Sequence, residues 1–362
     1  MLRPARRNDD RRATPWGAIP SLRGLLWLVA GSSVALATGV LGATAARPVW
    51  VERTTWVMGT TLSATVAGAT AGAGIRAIEA AFDSVRAFDA VLSTWRDGTE
   101  LARVNVAPLG VRLPISPRLT RLLAVAGRWT QETGGAFDPA VGPLVAAWDL
   151  RGPGRRPGPD DLAAARAASG IGRFALDTAA REIRRLAARA ALDAGGFGKG
   201  AALDAAAHAL RSPEGHGALL DFGGQVLALG VGPDGRPWAV RVADPRDRRR
   251  AVLTLRLAER SAATSAQSER FVTVASEHLG HVLDPRTGRP VSAWGSVTVV
   301  HPEALTADIL STALFVMGPD TGLAWAAARG VAALFLVREP QQLDVRCTHA
   351  IHLYLMEDMT CR

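Results

Sequence analysis

The stretch "LDAGGFGKGAALD", residues 192–204, reads as the end of a strand, a glycine-rich turn and a helix beginning near Lys199. Its classification decides the fold. A phosphate-binding loop of the Walker type requires G-x-x-x-x-G-K-[ST]. Asp193 stands at the first glycine position and Gly200 at the hydroxyl position, so that pattern fails. Gly196-x-Gly198-x-x-Ala201 matches a dinucleotide fingerprint superficially, with Asp221 at a tolerable distance, but the flanking segments are not arranged βαβ. Strand-like runs over 181–186, 217–222, 225–230, 237–242 and 251–257 follow one another, with turn signals at Pro233-Asp234-Gly235 and Asp244-Pro245-Arg246. Strands in runs, with helices grouped between them, predict an α+β fold with antiparallel sheet.

Lys199 is also the only lysine in the chain. The other 41 basic residues are arginine. One lysine retained inside a glycine loop suggests a need for a compact ammonium that a planar fork does not replace. The alternatives are chance survival at a surface position and a tight turn whose glycines serve packing alone. A helix N-terminus reached through glycines favours anions, and a lysine there holds phosphate as a point charge.

Elsewhere, "WVMGTTLSATV" (56–66) alternates like a strand, and residues 74–92 place Ile75, Ile78, Phe82, Val85 and Phe88 at helical spacing. Ser116, Pro117 and Gly134 delimit a helix over 116–134, "RGPGRRPGPDD" (151–161) is a loop, and "DDLAAARAAS" a short helix. "ALTADILSTALFVMG" (304–318) is a strongly apolar helix that carries Asp308 and Thr312 four residues apart, hence on one face. A buried carboxylate needs a partner or a metal. Carboxylate with hydroxyl suits Mg²⁺ whose remaining ligands come from substrate phosphates. The competing reading has Asp308 facing solvent or capping the helix. His281, three residues before Asp284 in "HLGHVLDPRTGRPV" (278–291), has the chemistry of a general base, while Asp284 fits ordinary turn bonding. Phe137, in "TGGAFDPAVGPLVAAW" (133–148), suits either the core or a planar ligand.

The formal charge of +9 is uneven. Residues 1–47 hold seven arginines against Asp9 and Asp10, a net +5 that leaves +4 for the rest. An uncharged apolar run, Gly24 to Ala46, lies between Arg23 and Arg47, and Ala43-Thr44-Ala45 resembles a cleavage site. Residues 1–47 are therefore expected to be an export signal or a single membrane anchor, and 48–362 the functional body. Arg11-Arg12 lies far from the apolar run for a twin-arginine signal, and no cysteine is present there for lipid attachment. With one tyrosine and no interleaved basic and aromatic residues, no nucleic-acid partner is expected. Export would allow Cys347 and Cys361 to form a disulfide. "CTHAIHLYL" (347–355) reads as a strand in preference to a metal site on Cys347, His349 and His352.

Taken in order, "MGTTLSATV", "LSTWRDGTELARVN", "TGGAFDPAVGPLV", "LDAGGFGKGAALD", "LLDFGGQVLALG", "AATSAQSERF", "HVLDPRTGRPV" and "SVTVVHPEALTADILSTALFVMG" resemble the FAD:protein FMN transferase family, often called ApbE, over residues 55–318. The resemblance implies a tunnelling-fold-like α+β architecture of antiparallel sheets with packed helices. It also implies export to the periplasm or the outer face of the cell membrane. The implied reaction is Mg²⁺-dependent transfer of FMN from FAD to a Thr or Ser of an acceptor protein, with AMP released. The acceptor would be part of a membrane electron-transfer system. The rivals are an FAD pyrophosphatase giving FMN and AMP, and a non-catalytic flavin-binding scaffold of a membrane redox complex. By the same resemblance Met58, Trp95, Ala136, Phe137, Asp138, Asp193, Lys199 and Val282 would contact FAD. Gly196 (through its carbonyl), Asp308 and Thr312 would ligate the metal. His281 and Lys199 are the expected catalytic groups. Ala266 stands where "TSG" is usual, and Ala201 where an aromatic commonly follows "KG".

Overall fold

The computed structural model describes residues 47–94, 96–211, 217–267, 271–274 and 277–356. Nearly all of the expected leader, together with Trp95 and Cys361, lies outside them. Among the described residues no helix is long and apolar enough to cross a membrane.

The centre is an eight-stranded, wholly antiparallel sheet. Its order is β1 (Val49–Val57), β2 (Thr60–Gly68), β6 (Ala218–Phe222), β7 (Gln225–Leu229), β10 (Arg260–Ala266), β15 (Gly295–His301), β16 (Ala332–Arg338) and β17 (Leu343–Cys347). Smaller antiparallel pieces surround it. They are β3 (Arg112–Pro114), β5 (Glu182–Arg185) and β4 (Phe174–Asp177) in one sheet, the ribbon β8 (Trp238–Asp244)–β9 (Asp247–Leu257), and the pairs β11 (Phe271–Val274)–β12 (Glu277–Gly280) and β13 (Leu283–Asp284)–β14 (Arg289–Pro290). The expected α+β class with antiparallel sheet is the observed one.

Both faces of the main sheet are covered, and an inner strand such as β16 is apolar on both sides. In β16, Ala333, Phe335 and Val337 enter the core shared with helices α1 (Ala71–Leu92), α6 (Gly198–Leu210), α7 (Ala304–Met317) and α8 (Pro319–Ala328). The alternate residues Ala332, Leu334 and Leu336 meet Trp238, Val242, Leu253 and Leu255 of the β8–β9 ribbon on the opposite face. A third, smaller cluster joins α4 (Gly142–Ala147) and α5 (Pro159–Ala168) to Leu283. Helix α2 (Glu100–Val106) packs on both α1 and β5, and α3 (Pro117–Glu132) packs on β4. Ser116 caps α3, its hydroxyl accepting from Leu119 N, and Gly318 ends α7, as their sequences predict.

Two expectations need correction. The run 56–66 is not one strand. Val57 ends β1 and Thr60 begins β2, with Val57 paired to Thr60 across a two-residue turn. Met58 (φ 49°) and Gly59 (φ 74°) both adopt positive φ, the conformation that matches the twist of a tight hairpin. The stretch 347–355 is not a strand past Cys347. Thr348 Oγ1 accepts from Ala333 N at 3.0 Å and donates to Val331 O at 2.7 Å, which turns the chain off the sheet. His349–Tyr354 then forms a 3₁₀ turn that buries Ile351 and leaves His349, His352 and Leu353 outside. Cys347 is disulfide-bonded.

Candidate functional site

Helix α6 sets up the site by crossing very close to the start of α7. A Cβ on Gly200 would lie 2.3 Å from the Ala304 carbonyl oxygen, so only glycine permits the approach. Asp204, one turn further along α6, caps α7 by accepting from Ala304 N (2.7 Å) and Leu305 N (2.9 Å). Burial pushes the Asp204 carboxyl up from its ordinary value, against the lowering effect of those two bonds. With α7 fixed in this way, Asp308 one turn in faces the first turn of α6. Its Oδ2 accepts from Gly200 N at 2.9 Å, and its Oδ1 lies 3.5 Å from Lys199 Nζ. Asp308 is buried while the Lys199 side chain keeps 30% of its exposure, so more of the lysine than of the carboxylate opens onto the space in front of them.

That space is a cleft of about 1340 Å³. Lys199, Asp308, Thr312, Gly196, Asp193 and His281 all line it. Met58, Ala136, Phe137, Asp138 and Val282 line it too. The structure thus brings together every described residue assigned to the site from the sequence, from five separate segments. Gly196 is held against Thr312, since a Cβ there would lie 3.1 Å from the Phe137 ring and 3.5 Å from Thr312 Oγ1. The Thr312 hydroxyl donates to Asp308 O at 3.2 Å, which leaves its oxygen able to accept or to ligate. Met58, projected by its left-handed turn, comes over Gly198, where a Cβ would meet Met58 Cε at 3.3 Å.

The donors expected from the sequence are one carboxylate, Asp308, one hydroxyl, Thr312, and the backbone carbonyl of Gly196, all three residues lining the cleft. Among the described residues no group of three or more His, Cys, Asp or Glu side chains gathers anywhere. Oxygen donors of this kind, too few to complete a shell, fit a hard divalent cation that keeps waters and takes phosphate oxygens. The same walls suit an anion: Lys199 and the N-terminus of the thirteen-residue α6 face it together.

Several named residues carry protein contacts of their own. Asp138 Oδ1 and Oδ2 accept from Ala140 N (2.8 Å) and Ile171 N (3.0 Å), and burial raises the carboxyl's pKa. Asp193 accepts from Gly195 N at 2.7 Å and pairs with the Arg151 guanidinium. Val282 is gripped at both backbone groups by Gln267, whose Oε1 accepts from Val282 N (3.0 Å) and whose Nε2 donates to Val282 O and Val291 O (both 2.9 Å). Gly280 makes room for that side chain, because a Cβ there would overlap Gln267 Oε1 at 1.9 Å.

Sequence reasoning missed Arg151, Arg248, Gln267 and Trp56, the last at the cleft rim and 71% exposed. In a chain with 41 arginines another arginine gives no signal. Ser265 lay inside a quoted motif without being singled out; its hydroxyl meets Ser311 on α7 at 2.9 Å.

With this geometry in hand, comparison with known proteins is informative. A family model described as the ApbE family matches residues 58–335. The FAD:protein FMN transferase of Klebsiella pneumoniae (strain 342) is 31% identical over 262 residues, covering 69% of this chain and 74% of that protein. The protein of the same name from Haemophilus influenzae is 29% identical over 259 residues, covering 69% and 75%. The apo crystal structure of Pseudomonas stutzeri flavinyl transferase ApbE superimposes with a TM-score of 0.77 at 29% identity, over 86% of this chain and 98% of that one. The ApbE protein of Thermotoga maritima gives 0.79 at 26%, over 85% and 100%.

Proposed function

This chain belongs to the ApbE family, and from that premise we propose that it is an FAD:protein FMN transferase that uses Mg²⁺ to move FMN from FAD onto a Thr or Ser hydroxyl of an acceptor protein, releasing AMP. The printed names of its relatives support the transferase class. The observation that carries the chemistry is the lone lysine 3.5 Å from a buried aspartate at the N-terminus of α6, inside a cleft large enough for a dinucleotide.

In this reading the cleft takes FAD with its diphosphate at Lys199 and the first turn of α6. Asp308, Thr312 and the Gly196 carbonyl would hold the cation, which when bound would supply further positive charge beside the diphosphate. Met58, Ala136, Phe137 and Val282 form the apolar walls against the rings. Asp138 and Asp193, each bonded to backbone, keep the shapes of their loops. The acceptor oxygen attacks the FMN-side phosphorus, the bond to the AMP phosphate breaks, and the hydroxyl proton passes to His281. Lys199 stabilises charge developing on the bridging and non-bridging oxygens, where preorganised donors have their largest effect. The acceptor is proposed to belong to a membrane electron-transfer system, and residues 1–47 to carry the body out of the cytoplasm as a signal or anchor.

The test is covalent labelling. Co-expression with candidate acceptors should give a protein band with in-gel flavin fluorescence that requires FAD, Mg²⁺ and Asp308. Conversion of FAD to FMN and AMP with no labelled protein would contradict transfer and favour the hydrolase.

A further inference from the structure

The β8–β9 ribbon has two edges. At the outer edge of β9, Leu255 bridges Leu355, and Met356 N donates to Thr254 O at 3.1 Å. The outer edge of β8 pairs with no strand among the described residues, since β8 and β9 form a sheet of two. A strand edge left open presents a row of backbone donors and acceptors. Six consecutive residues, Val240 to Pro245, run along a second cavity of about 200 Å³.

The opposite wall of that cavity is polar and small. Thr264 and Ala266 of β10 and Ser296 and Thr298 of β15 form it. Thr264 and Thr298 satisfy each other at 2.8 Å. Ser296 is 2% exposed and its hydroxyl has no hydrogen-bond partner among the described residues. A buried hydroxyl without a partner is costly and marks a place where a ligand group is wanted. The cavity is not separate from the cleft, because Asp221, Gly224, Thr264 and Arg248 line both. Ser265, the next residue of β10, bonds Ser311 on α7, between Asp308 and Thr312. A chain lying along β8 would therefore be led directly to the reacting end of the cleft.

We infer that the open edge of β8 is the docking site for the acceptor, which binds as an extended segment by strand addition and presents its Thr or Ser to the cleft at the Arg248–Thr264 junction. This rests on the transferase reading above and adds to it the conformation and side-chain class of the partner. Backbone groups of β8 pair with the segment's backbone, and affinity of that kind is independent of sequence. Specificity comes from the floor. Thr264, Ala266, Ser296 and Thr298 present only short side chains there, and residues such as Gly, Ala or Ser beside the acceptor hydroxyl bring the segment close to them. One of them hydrogen-bonds Ser296.

The experiment uses the full chain with FAD and Mg²⁺. The probe is a pool of synthetic peptides of about ten residues, the upper range of a strand, each with one central Thr and Gly, Ala or Ser flanks. Amide exchange over 240–244 is measured with and without the pool, and labelled peptides are read by mass. Strand addition predicts slowing at alternate amides of 240–244, by about tenfold or more. It also predicts a period of two when the best peptide is scanned with single backbone N-methyl groups: every second one blocks labelling. Labelled peptides with no slowing at 240–244, or uniform tolerance of N-methylation, would overturn the docking site while leaving transfer intact. Consumption of FAD with neither peptide nor protein labelled would overturn the transfer reading, and the docking site with it.

Discussion

Lys199 and Asp308 meet because Gly200 is between them in contact: its N–H holds one carboxylate oxygen and the lysine approaches the other. An arginine at 199 would bring a wider, planar group to the same place, with five donors where the geometry offers a point. Lys199→Arg is predicted to lower kcat/KM for flavin transfer by about tenfold or more, on the scale of losing one preorganised donor; an unchanged rate in a labelling time course would make the unique lysine an accident. Asp308→Ala removes the partner of both groups and the sole carboxylate of the donor set, so transfer and its dependence on Mg²⁺ should disappear together. These two residues were legible in the sequence because each breaks a local pattern, one a cation type and the other an apolar helix. Arg151, which pairs with Asp193, and Arg248, at the junction of the two cavities, broke none. Trp56 was invisible for another reason. Its strand alternates as half-buried strands do, and only the turn at Met58–Gly59 shows that it stands at a rim.

Among the elements, the crossing of α6 and α7 fixes the metal and phosphate groups relative to one another. Gly200→Ala places a methyl 2.3 Å from the Ala304 oxygen, so the helices must separate. A loss of about 1–3 kcal/mol in stability by urea unfolding is expected, as for other overpacked sites, along with weaker FAD binding. The glycines of the loop thus have a packing role as well as a ligand-facing one, and the sequence alone left these as alternatives. The hairpin rooted at Val282 and Val291 depends on Gln267. Gln267→Leu keeps the volume and removes three hydrogen bonds, so kcat should fall and the KM for FAD should rise, because Gln267 holds Val282, a wall of the flavin site, as well as the chain that carries His281. Unchanged constants in a steady-state titration of FAD would argue against that support. Helix ends over 116–134 and 304–318 were legible because caps are local, Ser116 and Gly318 each acting within a turn. The turn at 349–354 was not, since Thr348 and its partners Val331 and Ala333 are brought together only by the sheet.

For the molecule as a whole, the α+β class followed from the ordering of strand runs, but the strand neighbours did not. Hairpin pairs such as β1–β2 and β6–β7 are local, whereas β2–β6 and β10–β15 join segments whose alternation carries no partner information. Burial also leaves a mark on the response to pH. Asp138 and Asp204 have carboxyl pKa values raised by desolvation, so the native state binds their protons more tightly than the unfolded chain does. Their contribution is complete below the unfolded value of 3.8 and is lost as the pH rises through the native one. Relative to Asp204→Asn, the wild-type chain should therefore lose stability as the pH climbs from 3.8 through the raised native value, read as the difference between their urea midpoints. The most direct test of the site concerns linkage between cation and flavin. FAD affinity, followed by flavin fluorescence, is measured with and without Mg²⁺ in the wild type and in Asp308→Ala. Magnesium should tighten FAD binding by about tenfold or more in the wild type and leave the variant unaffected; equal tightening in both would mean that Asp308 does not hold the cation beside the diphosphate.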